Sequence, residues 1–447
     1  MRVLCIDSDS NALDFLMRCK AWGHECRWFD RPRKDGSERR AGEGIITKIR
    51  DYDSIWSKWL GWADLIYLPG NEFYLERLEP YRMIGYPIYA CNAEASQWES
   101  DRALGQRVMK KAGLQTIEGK EFHDYESAIA HVKRAGEPLV SKPSGEADKA
   151  LSYVAHSAAD LVYMLAKWSK NPKYRADAKE HGFILQAKKV GCEMGIGGWF
   201  GPGGWCGMWE EAFEFKKLMN DDLGVNTGEQ GTLTRFVKKS LLAEKVLKPL
   251  TKALREVDYV GCVNVNCIID EDGVPWPLEF TVRDGWPATH NQCALHEGDP
   301  AQWMRDLIDG KDTREVRYDE AAISVVVSMP DYPYSHLTAK ETEGIPIYGA
   351  GDFEHVHLSE AMLCPSVPVQ AGEKVVEMPC YVTAGDYVMV VTGTGETITG
   401  ARRSAYTALD KIKIPGNPMW RTDIGRGKLV ETIPRIQALG YASGLSY

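Results

Sequence analysis

The sequence lacks the patterns that mark several common classes of protein. No apolar run approaches the ~18 residues that a membrane span requires. The 11 cysteines form no CxxC pair and no HExxH motif is present, so nothing indicates a disulfide framework or a zinc site. The turn after the first apolar segment, Asp7–Ser10, contains no glycine, which excludes a dinucleotide-binding fingerprint there. Scattered thiols without pairing motifs suit a reducing compartment, and we expect a cytoplasmic protein.

The chain is acidic overall. A net charge of −9 and a pI near 5.7 argue against a broad electrostatic footprint for nucleic acid, although they leave room for a local basic groove. Hydrophobic residues at 44% and charged residues at 26% are ordinary for a globular protein. The 447 residues are enough for about three domains. Composition therefore points away from membrane and nucleic-acid partners without naming an activity.

Strands that alternate with helices in residues 1–95 predict a small parallel sheet. Its predicted strands are short apolar segments closed by Asp, Pro-Gly or Asn: Val3–Ile6, Cys26–Phe29, Leu65–Leu68 and Ile88–Ala90. The basic segment Arg31–Arg40 has no periodicity and is predicted to be an exposed loop. From Ala321 onward strand-like segments dominate, so residues 321–447 are predicted to form a β-rich domain with a few helices.

Two stretches have the composition of an anion-binding site. Pro138–Lys142 is predicted to be a strand that ends in a lysine beside the polar loop Pro143–Ala150, which suits a nucleotide phosphate. A solvated lysine at a strand end is the alternative. Asn220–Gly231, NDDLGVNTGEQG, is predicted to be a shaped loop, neither helix nor strand, whose backbone amides face an anion. A plain surface loop is the alternative there.

The segment Gly261–Gly285 predicts a β-hairpin with polar side chains on one face. Apolar and polar residues alternate before an Asp-Glu-Asp-Gly turn, and a second strand follows it. Side chains two residues apart on a strand share a face, so Glu279 and Thr281 point the same way. With a turn of about four residues, Asn264 and Asn266 join them on that face. The hairpin is therefore a candidate site for a hard cation that also binds substrate phosphates, and a solvated strand face is the alternative.

Four blocks, in the same order, resemble the phosphoribosylamine–glycine ligases of the ATP-grasp superfamily. The closing helix of that family and its Y-R-x-D-I-G ending are similar to TGETITGARRSAYTALDKI followed by MWRTDIG. The start of its C-terminal domain is similar to AAISVVVSMPDYPYS. Its loop G-P-N-T-G-G-M-G is similar to GVNTGEQG, and its I-E-F-N-x-R-F-G-D-P-E-T-Q is similar to PLEFTVRDGWPATHNQ.

The resemblance implies an α/β (α+β) ATP-grasp fold. Residues 1–95 would form an N-terminal Rossmann-like pre-ATP-grasp domain, and residues 321–447 the β-rich C-terminal domain. Between them, residues 96–320 would form the ATP-grasp domain, with a small nucleotide-clamping subdomain at about 120–190.

The resemblance also implies roles for individual residues. ATP would be contacted by Arg102, Lys142, Lys149, Gln186, Lys189 and Glu193. The cation would be held by Glu279, Thr281 and Asn266. The substrates would meet Asn226, Thr227, Gly228, Asp284 and Trp286. Lys216 and Arg283 would act catalytically, near the reacting phosphate and the acyl phosphate.

The implied activity is ATP-dependent ligation of a carboxylate to an amine through an acyl phosphate. The cofactors would be ATP and Mg²⁺, or Mn²⁺ in its place. The partners would be a glycine-like amino acid and an amine acceptor, in a monomer or a homodimer. Positioning and electrostatics would carry most of the catalysis, with little acid–base chemistry by the protein.

Several departures from the family pattern lie on the acceptor side. The turn Asp7–Leu13 replaces the family's glycine-rich G-x-G-G-R-E-H-A-L, so its glycines and arginine are gone and aspartates stand in their place. The G-P-E-A-P-L loop becomes Pro69–Tyr74, and Trp286 appears after Arg283. On the nucleotide side, the glycine-rich loop becomes Ser144–Ala150, with one glycine.

Three interpretations follow from these departures. The first is a ligase with an altered acceptor, such as a nucleoside or a modified base that stacks on Trp286. The second is a true phosphoribosylamine–glycine ligase of purine biosynthesis, in which arginines of the Arg31–Arg40 loop hold the acceptor phosphate. The third is a catalytically silent relative that binds nucleotide.

Overall fold

The computed structural model describes residues 1–144, 151–334 and 339–447. Its N-terminal part contains a five-stranded parallel sheet in the order β3-β2-β1-β4-β5. The elements are β1 Arg2–Asp7, α1 Leu13–Ala21, β2 Glu25–Asp30, β3 Thr47–Lys48, a π-helical turn Ile55–Trp59 with α2 Leu60–Trp62, β4 Leu65–Tyr67, α3 Leu75–Met83 and β5 Ile88–Tyr89. The predicted parallel sheet is confirmed. Because the carboxyl ends of parallel strands meet at one edge, the turns after β1 and β4 lie side by side.

A smaller unit with its own hydrophobic core follows two linking helices. The helices are α4 Ala93–Ser100 and α5 Arg102–Lys111, separated at Asp101, whose side chain caps α5. The unit consists of β6 Gly119–Phe122, α6 Tyr125–Ala135, β7 Leu139–Pro143, β8 Tyr153–Val154, α7 Ala158–Trp168, α8 Pro172–His181 and β9 Phe183–Ala187. Its four strands form one sheet in the order β6-β9-β7-β8.

The central sheet has eight strands in the order β14-β13-β10-β11-β12-β17-β22-β19. Its first part is built from β10 Cys192–Gly201, β11 Gly204–Met219, β12 Leu223–Val237, β13 Gly261–Ile269 and β14 Pro275–Thr281. Helical turns at Ala243–Leu247 and Lys248–Leu250 lead into α9 Thr251–Glu256. The segments that follow β14 are α10 Ala288–Leu295, β15 His296–Glu297, α11 Gln302–Ile308 and β16 Glu315–Val316.

The C-terminal part shares this sheet. Its elements are β17 Ala321–Ser328, α12 Ala339–Thr342, β18 Glu343–Pro346, β19 Val356–Leu358, β20 Ala361–Ala371, β21 Lys374–Ala384, β22 Tyr387–Gly395, α13 Ile398–Leu409 and α14 Lys428–Ala438. Strand β17 pairs with β12 along Gly231–Arg235, while β18, β21 and β20 form a separate three-stranded sheet. Across the described residues, no helix is both long and apolar enough to cross a bilayer.

The prediction that Asn220–Gly231 is neither helix nor strand is wrong for most of the segment. Only Asn220–Asp222 forms a turn, in which Asp221 and Asp222 have positive φ values of 57° and 55°. From Leu223 onward the chain lies in β12, because β11 on one side and β17 on the other supply ladder partners. The glycines that suggested a loop permit an irregularity within the strand instead.

Candidate active site

A cleft of about 1870 Å³ separates the small unit from the central sheet and from the turns of the N-terminal sheet. It is bordered by β7 of the small unit, by β10, β11, β12 and β14 of the central sheet, and by the turns after β1 and β4. Most of the predicted site residues line it: Arg102, Lys142, Glu193, Lys216, Asn226, Thr227, Gly228, Asn266, Glu279, Thr281, Arg283 and Trp286.

The floor of the cleft confirms the predicted hairpin face. Asn264 pairs with Thr281 and Asn266 pairs with Glu279, so all four side chains lie on one side of the sheet. On the neighbouring strand Gly195 pairs with Asn266, and a Cβ there would lie 2.8 Å from Asn266 Oδ1. The glycine therefore leaves a furrow beside Asn266 that a side chain would fill.

Lys216 lies among three carboxylates at the centre of the cleft. Its Nζ is 2.7 Å from Glu193 Oε1, 3.2 Å from Glu214 Oε2 and 3.8 Å from Glu279 Oε1. Burial alone would lower the pKa of Lys216, but the three carboxylates raise it well above its usual value. Lys216 therefore stays charged.

Arg102 joins β7 to the hairpin. Its Nε donates to the backbone carbonyl of Pro143 at 2.9 Å, and its guanidinium donates to Glu279 Oε2. Burial would raise the pKa of Glu279, but Arg102 and Lys216 lower it, so the carboxylate is ionised.

The ammonium of Lys142 lies near the charged groups of Arg102, Lys216 and Glu279. Burial lowers the pKa of Lys142 to about 8, and the positive charges of Arg102 and Lys216 act in the same direction against the attraction of Glu279. An anion that entered the cleft would favour the charged form of this lysine.

Arg283 is held at the end of β14 by a carboxylate that the sequence interpretation missed. Its NH2 donates to Glu99 Oε1 at 3.0 Å, and the backbone N–H of Val282 donates to Glu99 Oε2 at 2.9 Å. Glu214 was missed as well, although its spacing of two residues from Lys216 on a strand placed both on one face. Glu99 carries no such signal, because it reaches the site from a helix distant in sequence.

Strand β12 bulges into the cleft opposite Lys216. Between the pairs Phe215–Gly231 and Lys217–Asn226, residues 227–230 face a single residue of β11. The hydroxyl of Thr227 fastens the bulge by donating to the Lys216 carbonyl at 2.9 Å. Glu229 also lies in it, and burial together with the charge of Glu214 raises the pKa of Glu229 well above its usual value. Glu229 is 7% exposed, and its Oε1 has no hydrogen-bond partner among the described residues.

Three of the predicted site residues that the structure describes do not line the cleft. A fourth, Lys149, lies outside the described residues. Gln186 is 4% exposed, and Lys189 places its Nζ 3.5 Å from the ring centroid of Trp276. Asp284 does not line the cleft. It accepts a 2.7 Å hydrogen bond from the Tyr67 hydroxyl beside an inner cavity of about 30 Å³.

The turn after β1 satisfies its own backbone amides. Asp7 Oδ1 accepts the N–H of Asp9 at 3.0 Å, and Asp7 Oδ2 accepts the N–H of Ala12 at 2.8 Å. Asp30 accepts the N–H of Ser10 at 3.2 Å. Carboxylates of the chain therefore occupy amide donors that face phosphate in glycine-rich turns of this kind.

The donors on the cleft floor fit a hard cation. Glu279 and Glu214 supply carboxylate oxygens, and Asn266 supplies an amide oxygen that has no hydrogen-bond partner among the described residues. In the ranges that the structure describes, no three His, Cys, Asp or Glu side chains are grouped as metal ligands.

The sequence is similar to that of a known protein family. Residues 100–289 match the family model of the phosphoribosylglycinamide synthetase ATP-grasp (A) domain. The phosphoribosylamine–glycine ligase of Salmonella typhimurium is 24% identical over 369 residues, covering 78% of this chain and 79% of the relative. That of Ralstonia nicotianae is 28% identical over 366 residues, covering 77% and 79%.

Solved structures share the fold. Phosphoribosylamine–glycine ligase from Thermotoga maritima superposes with a TM-score of 0.70 at 19% identity, covering 94% of this chain and 99% of that one. The biotin carboxylase domain of Hydrogenobacter thermophilus 2-oxoglutarate carboxylase, a dimer solved with MgADP and bicarbonate, gives 0.64 at 16% identity, covering 94% and 91%. The comparisons confirm the predicted ATP-grasp fold and the likeness to ATP-dependent C–N ligases. The chain is therefore an ATP-grasp protein, and its residues 100–289 form a domain of the phosphoribosylglycinamide synthetase type.

Proposed function

We propose that this protein is an ATP-dependent carboxylate–amine ligase whose amine acceptor carries no phosphate group at the turn after β1. The observation that carries the proposal is the capping of this turn by Asp7 and Asp30. Amides that already donate to carboxylates are not available to a phosphate.

The arginines of the Arg31–Arg40 loop already have partners within the chain. Arg31 stacks 3.4 Å from the ring centroid of Phe73, which lines the cleft. Arg33 pairs with Glu343 at 3.0 Å, and Arg39 pairs at 3.4 Å with Asp9 of the turn itself. Arg39 would have to leave Asp9 to hold the phosphate of phosphoribosylamine, so turnover with phosphoribosylamine separates the two interpretations.

The first chemical step forms an acyl phosphate. A carboxylate oxygen of the amino acid attacks the γ-phosphorus of ATP, the bond to the bridging oxygen breaks, and ADP leaves. Lys142, Lys216 and Arg102 offset the charge that the phosphates bring. Mg²⁺ or Mn²⁺, held by Glu279 and Asn266, would supply further neutralisation of the phosphate oxygens.

The second step forms the amide. The amine nitrogen attacks the acyl carbon, inorganic phosphate leaves with the bonding electron pair, and the nitrogen gives up a proton to solvent. Arg283, steadied by Glu99, orients the acyl phosphate. On the acceptor side, Trp286 and the Glu229 carboxyl offer a flat apolar surface and a hydrogen-bonding group, which suits a nucleoside or a modified base.

The test is an ADP-release assay on the full chain with Mg-ATP and glycine. One arm contains freshly generated phosphoribosylamine, and the others contain non-phosphorylated amines, including nucleosides with an exocyclic or side-chain amine. We expect saturable turnover with a non-phosphorylated amine and only background release with phosphoribosylamine. Robust saturable turnover with phosphoribosylamine would establish the second interpretation instead. ATP binding without turnover in any arm would favour the catalytically silent relative.

A further inference from the structure

A second carboxylate, Glu214, lies beside the predicted cation ligands. It is on β11, two residues before Lys216, and its side chain is 16% exposed. The side-chain amide of Asn266 donates to Glu214 Oε1 at 3.0 Å and to Glu214 Oε2 at 2.9 Å. The two residues are on strands separated by β10, and Asn266 reaches across because Gly195 carries no side chain between them.

The oxygen of the Asn266 side-chain amide lacks a hydrogen-bond partner among the described residues. Asn266 is 6% exposed, and its Oδ1 accepts no hydrogen bond from the residues that the structure describes. A buried amide oxygen without a partner is costly, and native structures usually satisfy it with a donor or a cation. This oxygen belongs to the amide whose nitrogen donates to the Glu214 carboxylate, and both side chains border the same furrow.

Glu279 stands on the opposite side of the same group. Lys216 Nζ lies 3.2 Å from Glu214 Oε2 and 3.8 Å from Glu279 Oε1, so one ammonium bridges the two carboxylates. A divalent cation fits the position that the Lys216 ammonium occupies between the two carboxylates, provided that Lys216 turns towards a bound anion. Thr281, by contrast, offers a short neutral hydroxyl across from Asn264.

We propose that Glu214, Asn266 and Glu279 together hold the divalent cation that accompanies the nucleotide, with Glu214 supplying the second carboxylate instead of a ligand from Thr281. The inference rests on the proposed function, because phosphate oxygens of the nucleotide complete the coordination. Two carboxylates and an amide oxygen are donors that Mg²⁺ and Mn²⁺ accept, and they leave positions for phosphate. Lys216 then moves its contacts from the carboxylates to the phosphates.

The experiment measures Mn²⁺ binding directly. Free Mn²⁺ is followed by electron paramagnetic resonance while it is titrated with full-length protein saturated with ADP. We expect Glu214→Gln to weaken the Mn²⁺ Kd at least tenfold, while its ADP affinity without divalent cation stays within threefold of wild type. The matched control is Glu76→Gln, which removes an exposed carboxylate at the rim of the same cleft and is expected to stay within twofold.

A second variant guards against a trivial loss of structure. Asn266→Asp keeps the side-chain shape and adds a negative charge, so we expect it to tighten Mn²⁺ binding several-fold. Thermal unfolding without ligands shows whether each variant is folded. Wild-type affinity in Glu214→Gln, or no tightening in Asn266→Asp, would overturn the inference and leave the ligase proposal intact. Failure of wild type to bind ADP at all would overturn the ligase proposal itself.

Discussion

The side-chain amide of Gln292 donates a 2.8 Å hydrogen bond to Glu210 in the interior of the central sheet. Glu210 is 0% exposed, and its second carboxylate oxygen has no partner among the described residues. Burial raises the pKa of Glu210 to about 8, so the folded protein keeps a proton here that the unfolded chain gives up.

We expect this proton to make stability depend on pH. A glutamate in the unfolded chain titrates near ~4.3, so between about pH 4.5 and 8 the native state binds the extra proton and stability falls as pH rises. The slope is at most about 1.4 kcal/mol per pH unit. Glu210→Gln removes the titration, and its thermal midpoint relative to wild type should increase from pH 5 to pH 8. Glu256→Gln, at a side chain that is 47% exposed, is the control and should show a constant offset.

Lys142 should couple nucleotide binding to proton uptake. Because the pKa of Lys142 is about 8 in the free protein, phosphate binding should charge the lysine wherever it is neutral. At pH 9 we expect uptake of about one proton per ATP, and close to none at pH 6.5. Calorimetric titration in buffers of different ionisation enthalpy measures this number.

Lys142→Ala is the matched variant for that experiment. It should abolish the pH dependence of proton uptake and weaken ATP binding by about tenfold or more, because a buried charge-assisted contact is lost. Equal ATP affinity in the variant and the wild type would remove Lys142 from the nucleotide site.

Glu279 should matter more for turnover than for binding. Its carboxylate contacts Arg102 and Lys216, the groups that we assign to the transferring phosphate. Glu279→Ala should lower kcat by roughly 100-fold while ATP affinity falls less than about tenfold, since the lost contacts act on charge that moves in the transition state. Thr281→Asn, which restores the family residue, should be tolerated or mildly activating. Unchanged kcat in Glu279→Ala would rule out the assigned role.

Removing the cap of the N-terminal turn should create a weak anion site. In Asp7→Ala the N–H groups of Asp9 and Ala12 lose their acceptors, which should cost about 1–3 kcal/mol of stability. Inorganic phosphate should then raise the thermal midpoint of the variant more than that of wild type, because the freed N–H groups donate hydrogen bonds to the anion. ATP affinity should not change, since the turn is on the acceptor side. An identical response to phosphate in both proteins would count against the capping argument.

Local patterns predicted the parts of the site that depend on neighbouring residues. The shared face of Asn266 and Glu279 follows from strand alternation and a short turn, and the structure confirms it. Glu99 was missed because its contact with Arg283 joins elements that are far apart in sequence, whereas Glu214 was missed although it shares a strand face with Lys216.

The errors have a physical cause as well. The glycine-rich composition of 223–231 indicated a loop, but hydrogen bonds from two flanking strands outweigh local propensity. Asp284 was assigned by resemblance, whereas in the structure it accepts a 2.7 Å hydrogen bond from the Tyr67 hydroxyl. In both cases a contact with a residue distant in sequence decided the outcome.

The pairing of β12 with β17 limits the positions at which a chain of this fold can be divided into transferable segments. A chain cut between residues 320 and 321 would leave Gly231–Arg235 as a bare sheet edge, able to join another molecule. Removal of residues 321–447 would therefore leave an aggregation-prone fragment, although 320/321 is the predicted boundary of the C-terminal domain. A transferable module must instead carry β17, β22 and β19 together with the nucleotide site. New acceptor specificities in this architecture should accordingly arise by substitution within the cleft, not by swapping the C-terminal part.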